Sequence, residues 1–520
     1  MKNKDSILKF SLAFDRDVES YLKKNHGPIS EFTILSKSLD ARNANRGRTP
    51  KYHYQVKLNH IDSNEQFEKI HPWESKPLII GAGPAGLFAA LRFAEYGIKT
   101  IIVERGDQTY PRMKKIARHW RYGEMDEDSN VCYGEGGAGL FSDGKLITRV
   151  KSEYVGYVLK RFYELGAPKD ILYDSNPHVG SNKIREIIKN ISKYLLENGH
   201  EIRFNSKVTE LLYDQDKVVG AKLESGECLH SEDTILAIGH SAKKMFYHLH
   251  EHGVSMKAKD FAIGFRVEHP RSMIDTLQFG EFAEHHALGA ARYRLSYYDK
   301  SSDRGSYSFC MCPGGYVLSS GTEKDGIVVN GMSNYGCRSR WSNSAIVTSV
   351  KNGVDYNKNG DNILDGFSYI ENIEKKAFNA SKEYADARKL PFQRLDDFLN
   401  SNSISDKPFP KNSTPSGIFE FPINEILPAN VCEMLKSAFV QFDKRLPGFM
   451  SKEAIVMAPE TRTSSPVTLL RDKENLQSLS HKGLYPIGEG AGHAGGITSA
   501  AVDGVKASMA VIKSHAKVKA

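Results

Sequence analysis

The residues Gly81-Ala82-Gly83-Pro84-Ala85-Gly86 carry the first chemistry legible in this chain. Glycines at this spacing let a backbone come close to a pyrophosphate. Gly81 permits a tight turn, Gly83 lets amide groups reach the phosphates, and Gly86 lets a helix pack closely on a strand. Glu104, 18 residues after Gly86, offers a carboxylate to ribose hydroxyls and would repel a 2′-phosphate. Such residues work only on a particular frame. The apolar run Leu78-Ile79-Ile80 predicts a strand entering the turn, and Pro84 and Ala85 open a helical pattern. Lys99–Val103 predicts a second strand that ends on Glu104 and Arg105. The free N–H groups and dipole at the helix N-terminus favour an anion there. The unit as a whole predicts a bound dinucleotide.

A second glycine-rich stretch, Tyr133–Leu146, holds five glycines, Gly137 among them. It allows backbone to approach a flat ring, with Ser142, Asp143 and Lys145 as polar contacts at its edge. For substrate chemistry the candidates are Lys145, the set Arg266, Glu268 and His269 in GFRVEHP, and the set Glu460, Thr461 and Arg462 in APETRTSSP. An arginine suits a carboxylate or phosphate, and a histidine suits proton transfer beside hydride transfer. For each, an ordinary ion pair is the competing reading. His493 is either a cofactor contact or a turn filler. Among six cysteines, only Cys310 and Cys312 lie close together. Alternate strand positions share a face, so both thiols are expected either as buried core residues or as lining a pocket, with a redox-active thiol as the alternative to a structural role. The segment Asp355–Asp361 imitates the first half of a calcium loop, but Gly366 stands where the twelfth-position glutamate is needed, and no metal is expected.

A chain of 520 residues, 40% hydrophobic and 26% charged, is expected to form two to four soluble domains. Its net charge of +8 (71 basic against 63 acidic residues) fits an anionic cofactor. No apolar run approaches the roughly 20 residues of a membrane span, and the N-terminus lacks the apolar core of a secretory signal, so the cytoplasm is expected. The predicted fold class is α/β, in three parts. Residues 1–76 form a small α+β domain, with a strand at Leu8–Ala13, a helix at Asp17–Lys24, and strands near Ile29–Lys37 and Tyr52–Leu58. The basic link Asp40–Pro50 is either a hairpin loop or a contact for an anionic partner. Residues 77–245 and 483–520 form a discontinuous Rossmann-like domain, and 246–482 an inserted α+β substrate domain. Within these, Ile202–Phe204, Val208–Tyr213 and Val218–Leu223 read as short strands leading to a closing strand, Thr234–Gly239. Gly366–Phe378 reads as an amphipathic packing helix.

The run 202–239 is similar to the β-meander and closing strand of flavoprotein dinucleotide domains. That likeness implies FAD, with Val208 backbone at the adenine and Gly239 at the cofactor. Residues 483–512 resemble the second flavin motif of the glutathione-reductase-like superfamily. By that resemblance Gly488 and Glu489 meet the ribityl chain, and the helix beginning near Gly496 and Ile497 faces the flavin pyrimidine oxygen. Glu489 departs from the aspartate usual there. The motifs GEGGAGLFSDGKL (134–146), CMCPGGYV (310–317), NGMSNY (330–335), APETRTSSPV (458–467) and LYPIGEGAGHAGGITSAAVDG (484–504) resemble an uncharacterised bacterial family. It is described as FAD-dependent dehydrogenases or NAD(P)/FAD-dependent oxidoreductases. The resemblance implies FAD and leaves the reaction open. The leading expectation is hydride transfer through the flavin to or from a small organic substrate. No second glycine fingerprint is present, so NAD(P)H would act as donor without a dedicated domain. The alternatives are an RNA-modifying or RNA-binding flavoprotein, whose only support is the basic loop, and an electron-transfer or regulatory flavoprotein.

Overall fold

The computed structural model describes residues 7–27, 31–58, 75–400 and 408–518. Five strands of three residues each form a parallel sheet in the order Leu484–Pro486, Thr234–Leu236, Leu78–Ile80, Ile101–Val103 and Glu201–Arg203. Leu78–Ile80 and Thr234–Leu236 are buried at every position because helices cover a parallel sheet on both sides. The helices Pro84–Glu95, Gly180–Glu197 and Ile497–Val518 share one core with the strand residues Ile79, Ile102 and Ile235. Where the first and last of these cross, a Cβ on Gly504 would lie 2.0 Å from the Ala85 carbonyl oxygen. Glycine is what lets the two helices touch.

The edge strand corrects one expectation. Ile202 belongs to the parallel sheet, paired with Ile102, and not to the meander. The meander consists of Val208–Asp214, Lys217–Leu223 and Cys228–His230, all antiparallel. Its third strand is short and exposes two of its three residues, so alternation did not reveal it.

A seven-stranded sheet makes the second layer. Its order is Ser296–Asp299, Arg304–Cys312, Trp341–Val350, Phe261–Pro270, Ile455–Glu460, Leu390–Arg394, Ile418–Glu420. All pairings are antiparallel except the last. Helix Ala429–Arg445 buries Leu435, Phe439 and Phe442 against it. Helix Asp365–Tyr384 extends the predicted Gly366–Phe378 in both directions. The strand Val467–Leu469 pairs with Met256–Ala258 and packs in the same core as Leu78, Ile80 and Val103. Asp355 forks onto Arg304 at 2.7 and 2.9 Å and also accepts from Asn430 at 2.8 Å, so its carboxylate is committed to the fold.

At the N-terminus, strands Ile7–Ala13, Phe32–Asp40 and Lys51–Leu58 form an antiparallel sheet around helix Val18–His26. Asp17 caps this helix by accepting from Ser20 N at 2.7 Å. Ile29, expected to begin a strand, lies outside the described residues. Within the basic loop Ala44 is buried and Asn45 donates to Leu277 O at 3.0 Å, while Arg42, which forks onto Asp40, and Arg46 and Arg48 are exposed. Among the described residues, no helix is long and apolar enough to cross a membrane.

Candidate functional site

A cavity of about 2040 Å³ opens between the parallel and the seven-stranded sheets. The turn after Leu78–Ile80 places Gly81, Gly83, Pro84 and Ala85 on its wall, and the next strand adds Glu104 and Arg105. Gly81 has φ +108, and a Cβ there would stand 2.4 Å from Ala237 O. Gly86 does not reach the cavity. Its Cβ would lie 2.0 Å from Gly81 O, so its task is the close helix–turn packing expected of it. The helix beginning at Pro84 has no side-chain cap, which leaves its first N–H groups facing the cavity. A second helix N-terminus, at Ile497, reaches the same space with Gly496, Ser499 and Ala500. Val208, Gly239, Gly488 and Glu489 also line it. Segments remote in sequence thus converge on one volume.

Glu104 differs from expectation. Its Oε2 accepts from Ala82 N at 2.9 Å, and its Oε1 from Gly106 N at 3.0 Å and Gly134 N at 2.9 Å. A carboxylate offers about four lone-pair sites, so little capacity remains for a ribose. Its main work is to tie the glycine turn to the second glycine-rich stretch. Arg105 is held by Asp128 and lies 4.0 Å over the Tyr133 ring. Glu489 has its Oε1 3.4 Å from His240 Nδ1, while the buried Nε2 of that histidine has no partner. Both residues line the cavity.

The second glycine-rich stretch wraps around a residue that sequence reasoning missed. Arg112 is fully buried and donates to the carbonyls of Asn130 (2.8 Å), Glu135 (2.7 Å), Val131 (2.8 Å) and Gly137 (2.9 Å). Burial, with no carboxylate bonded to it, pulls its pKa down to about 10. The signal was its position: Thr109, Arg112 and Ile116 form one helical face, and all are buried. Beyond Gly137, the cavity wall includes Ser142, Asp143 and Lys145. Ser142 bonds back to Gly139 O at 2.8 Å. Asp143, wholly buried, receives Lys145 Nζ at 2.5 Å, His178 Nε2 at 3.2 Å and the Ser333 hydroxyl. Burial acts to raise the Asp143 pKa, but Lys145 and His178 outweigh it and hold the group well below the usual carboxylate range. The turn after Leu484–Pro486 is locked by Asp503, also missed, which accepts from Gly488 N at 2.7 Å and from both ends of the Arg471 fork.

Two candidates for catalysis are corrected. Arg266 is fully buried and forks onto Glu460 at 3.0 and 2.9 Å, with Asn343 and Asn330 taking further donors. It is absent from the cavity wall, where its partner Glu460 does appear. His269 is fully buried beside Phe449, with Nε2 2.9 Å from the Phe449 carbonyl oxygen, and burial pushes its pKa down to about 4. It does not reach the cavity, and its neutral ring commits its one N–H to that carbonyl. Glu268 is likewise internal, accepting from Ser413 N at 3.0 Å. Arg462 does reach the cavity, but its guanidinium is held by Glu374 at 3.0 and 2.7 Å, and Thr461 donates to the same carboxylate at 2.6 Å. Glu374 comes from the helix predicted only as packing surface. His493 lines the cavity with Nε2 3.0 Å from Leu469 O. Cys310 and Cys312 are neighbours but differ in burial: Cys310 is half-buried on the cavity wall and Cys312 is buried.

A protein of Clostridium beijerinckii, described as uncharacterized, is 38% identical to this chain over 535 residues, covering 98% of each. The chain belongs to that family. Residues 260–463 match the family of FAD-dependent protein C-terminal domains, and residues 74–122 match an FAD binding domain. It is a family of FAD-binding flavoproteins. Similar solved structures include a triple mutant of the flavin-dependent brominase Bmp2, at 13% identity and TM-score 0.37, over 85% of this chain and 81% of that one. Another is a geranylgeranyl bacteriochlorophyll reductase-like protein of Thermoplasma acidophilum, at 13% identity and TM-score 0.34, over 86% of this chain and 80% of that one.

The site fits FAD on its own terms. Two helix N-termini and side-chain-free glycine backbone face one space. Its volume is about twice the upper end usual for a single small ligand. Gly81, Gly83, Gly137 and Gly488 supply the close backbone approach, and Ile497 opens the second helix.

Proposed function

We propose that this flavoprotein is a cytoplasmic FAD-dependent oxidoreductase acting on a small organic substrate. The observation that carries the proposal is the continuity of the cavity. The same space bounded by the glycine turn and the Ile497 helix is bounded opposite by Phe309, Cys310, Met311 and Arg462. A cofactor lying along the first wall leaves room for a second ligand against the other. FAD when bound supplies reversible two-electron chemistry by accepting or giving a hydride. The chain's residues do the rest. The Pro84 helix stabilises the pyrophosphate charge, and the Ile497 helix stabilises negative charge on the reduced ring. Glu104 and Arg112 hold the glycine loops against the cofactor. The domain division expected from the sequence would put the substrate on the 246–482 side.

Arg149 and Arg294 line the cavity without a hydrogen-bond or ion-pair partner, and suit a carboxylate or phosphate on the substrate. The cysteines of the described residues are all free thiols, which fits a reducing compartment. NAD(P)H would serve as donor by docking in the same cavity. The test is the visible spectrum of the purified protein before and after anaerobic NADH or NADPH. Bound flavin that bleaches supports a nicotinamide-fed reductase. Flavin that stays oxidised moves the reading to a substrate dehydrogenase, and protein that cannot be reconstituted with FAD refutes it.

A further inference from the structure

The strand Arg304–Cys312 breaks its register beside the cavity. Phe309 pairs with Ala345, and the next paired residue, Cys312, pairs with Asn343. Cys310 and Met311 therefore oppose Ser344 alone, which is a bulge, a feature that re-aims side chains next to active sites. Cys310 has φ +44, a left-handed conformation rare outside glycine and held only where surrounding structure enforces it. The enforcement is visible. Arg266 Nη1 donates to Cys310 O at 3.2 Å and lies 3.8 Å from Cys312 Sγ, and Lys145 Nζ donates to Met311 O. The result leaves Cys310 half-buried on the cavity wall while Cys312 is buried, its Sγ 3.2 Å from Cys310 O.

We propose that Cys310 and Cys312 form a dithiol–disulfide couple that exchanges an electron pair with the flavin, an inference that rests on the flavin reading above. In the forward direction the Cys310 thiolate and the Cys312 thiol form one S–S bond. FAD, when bound in its oxidised state, would supply the acceptor for the electron pair and the Cys312 proton, so that atoms and charge balance. Reversal returns two electrons and one proton to the pair. The environment divides the two sulfurs into distinct roles. The hydrogen bond from Cys312, then the charges of Lys145 and Arg266, hold Cys310 down to about 6 against burial and Asp143. Burial first, then the bond to Cys310, pushes Cys312 up. A stabilised thiolate on the cavity wall, backed by a protonated partner, is the arrangement that a dithiol–disulfide couple needs.

The test equilibrates the purified holoprotein anaerobically in buffers running from reduced dithiothreitol to oxidised glutathione, followed by iodoacetamide and trypsin. Cleavage after Arg304 and Lys324 yields one peptide, 305–324, holding both thiols and no other cysteine. The expected result is passage from two alkylations to none in one two-electron step. In C312S the internal bond is replaced by a glutathione adduct on Cys310, and in C228S, at an exposed thiol, the step is unchanged. A second arm reduces the flavin photochemically in the disulfide form, and two thiols should appear per flavin reoxidised. Two alkylations persisting at the most oxidising poise overturn the pair, and reduced flavin beside an intact disulfide overturns the exchange. The thiol titration needs no flavin, so a protein without FAD defeats the flavin reading, whereas flavin with unpaired thiols defeats this inference alone.

Discussion

Arg112 provides the sharpest test of how the cavity wall is built. Its fully buried guanidinium serves four backbone carbonyls between Asn130 and Gly137 and has no carboxylate bonded to it. Hydrogen bonds from a charged donor contribute about 1.5–3 kcal/mol each. Four would sum to roughly 6–12 kcal/mol, offset by the cost of keeping a cation out of water. Water entering an Arg112→Ala hole would also satisfy some of the carbonyls. The expected net loss is about 3–5 kcal/mol, the range for breaking a buried charged network. Arg112→Lys keeps the charge but lacks the planar fork, and should lose about half as much. Because Gly137, Ala138 and Gly139 line the cavity, FAD affinity should fall at least tenfold in Arg112→Ala. Urea unfolding and fluorescence titration with FAD measure the two effects. An Arg112→Ala protein within about 1 kcal/mol of the parent, with unchanged FAD affinity, would refute the claim that this side chain organises the loop.

Three further outcomes are expected. Burial raises the Glu268 pKa to about 7, against the opposing bonds from Ser413. The folded state therefore binds a proton more tightly than the unfolded state. The stability linked to this group is full below about pH 4.3 and is lost as pH rises through 7. Glu268→Gln should flatten that decline, and urea midpoints at pH 5 and pH 8 will read it. Asp143 has the opposite sign: its depressed pKa contributes stability above about pH 4 that disappears as pH falls further. Asp143→Asn should remove this acid dependence in thermal melts between pH 3 and 6, while lowering stability at neutral pH. Gly504→Ala places a methyl 2.0 Å from Ala85 O and should cost about 1–3 kcal/mol, seen as a lower Tm; an unchanged Tm would show that the helix crossing is not tight.

The glycine turn, the first helix and the second flavin motif were legible because their demands are local. Gly81 and Gly86 leave no space for a Cβ, and only glycine answers that demand. The strand Ile202 was misassigned for a different reason. Three residues of a parallel edge strand and three of a meander strand carry the same apolar pattern, and only the partner distinguishes them. Arg112, Asp503 and Glu374 were missed because each acts on residues distant in sequence, at carbonyls or at another charge. Nothing in a residue's immediate neighbours announces such a partner. The bulge at Cys310 was invisible for the same reason, since it is defined by two residues facing one on a strand more than thirty positions away.

The fate of the predicted arginines follows from where the site lies. A cavity between two sheets collects the ends of strands and glycine-rich loops, and there backbone carbonyls have no ladder partners. Such acceptors and their neighbouring carboxylates need multi-donor cations, which is why Arg112 takes four carbonyls and Arg266 and Arg462 each take a carboxylate plus neighbouring acceptors. These residues are near the chemistry because the wall needs them, and their donors are committed before any substrate arrives. Under the proposed function, recognition of an anionic substrate would fall to the cations that the wall does not use. Arg149 and Arg294 meet that condition at the cavity, and neither belongs to a glycine-rich or proline-rich motif. Motif membership in this chain marks residues that build the cavity wall, and under the proposed function lack of a partner marks those that would read the substrate.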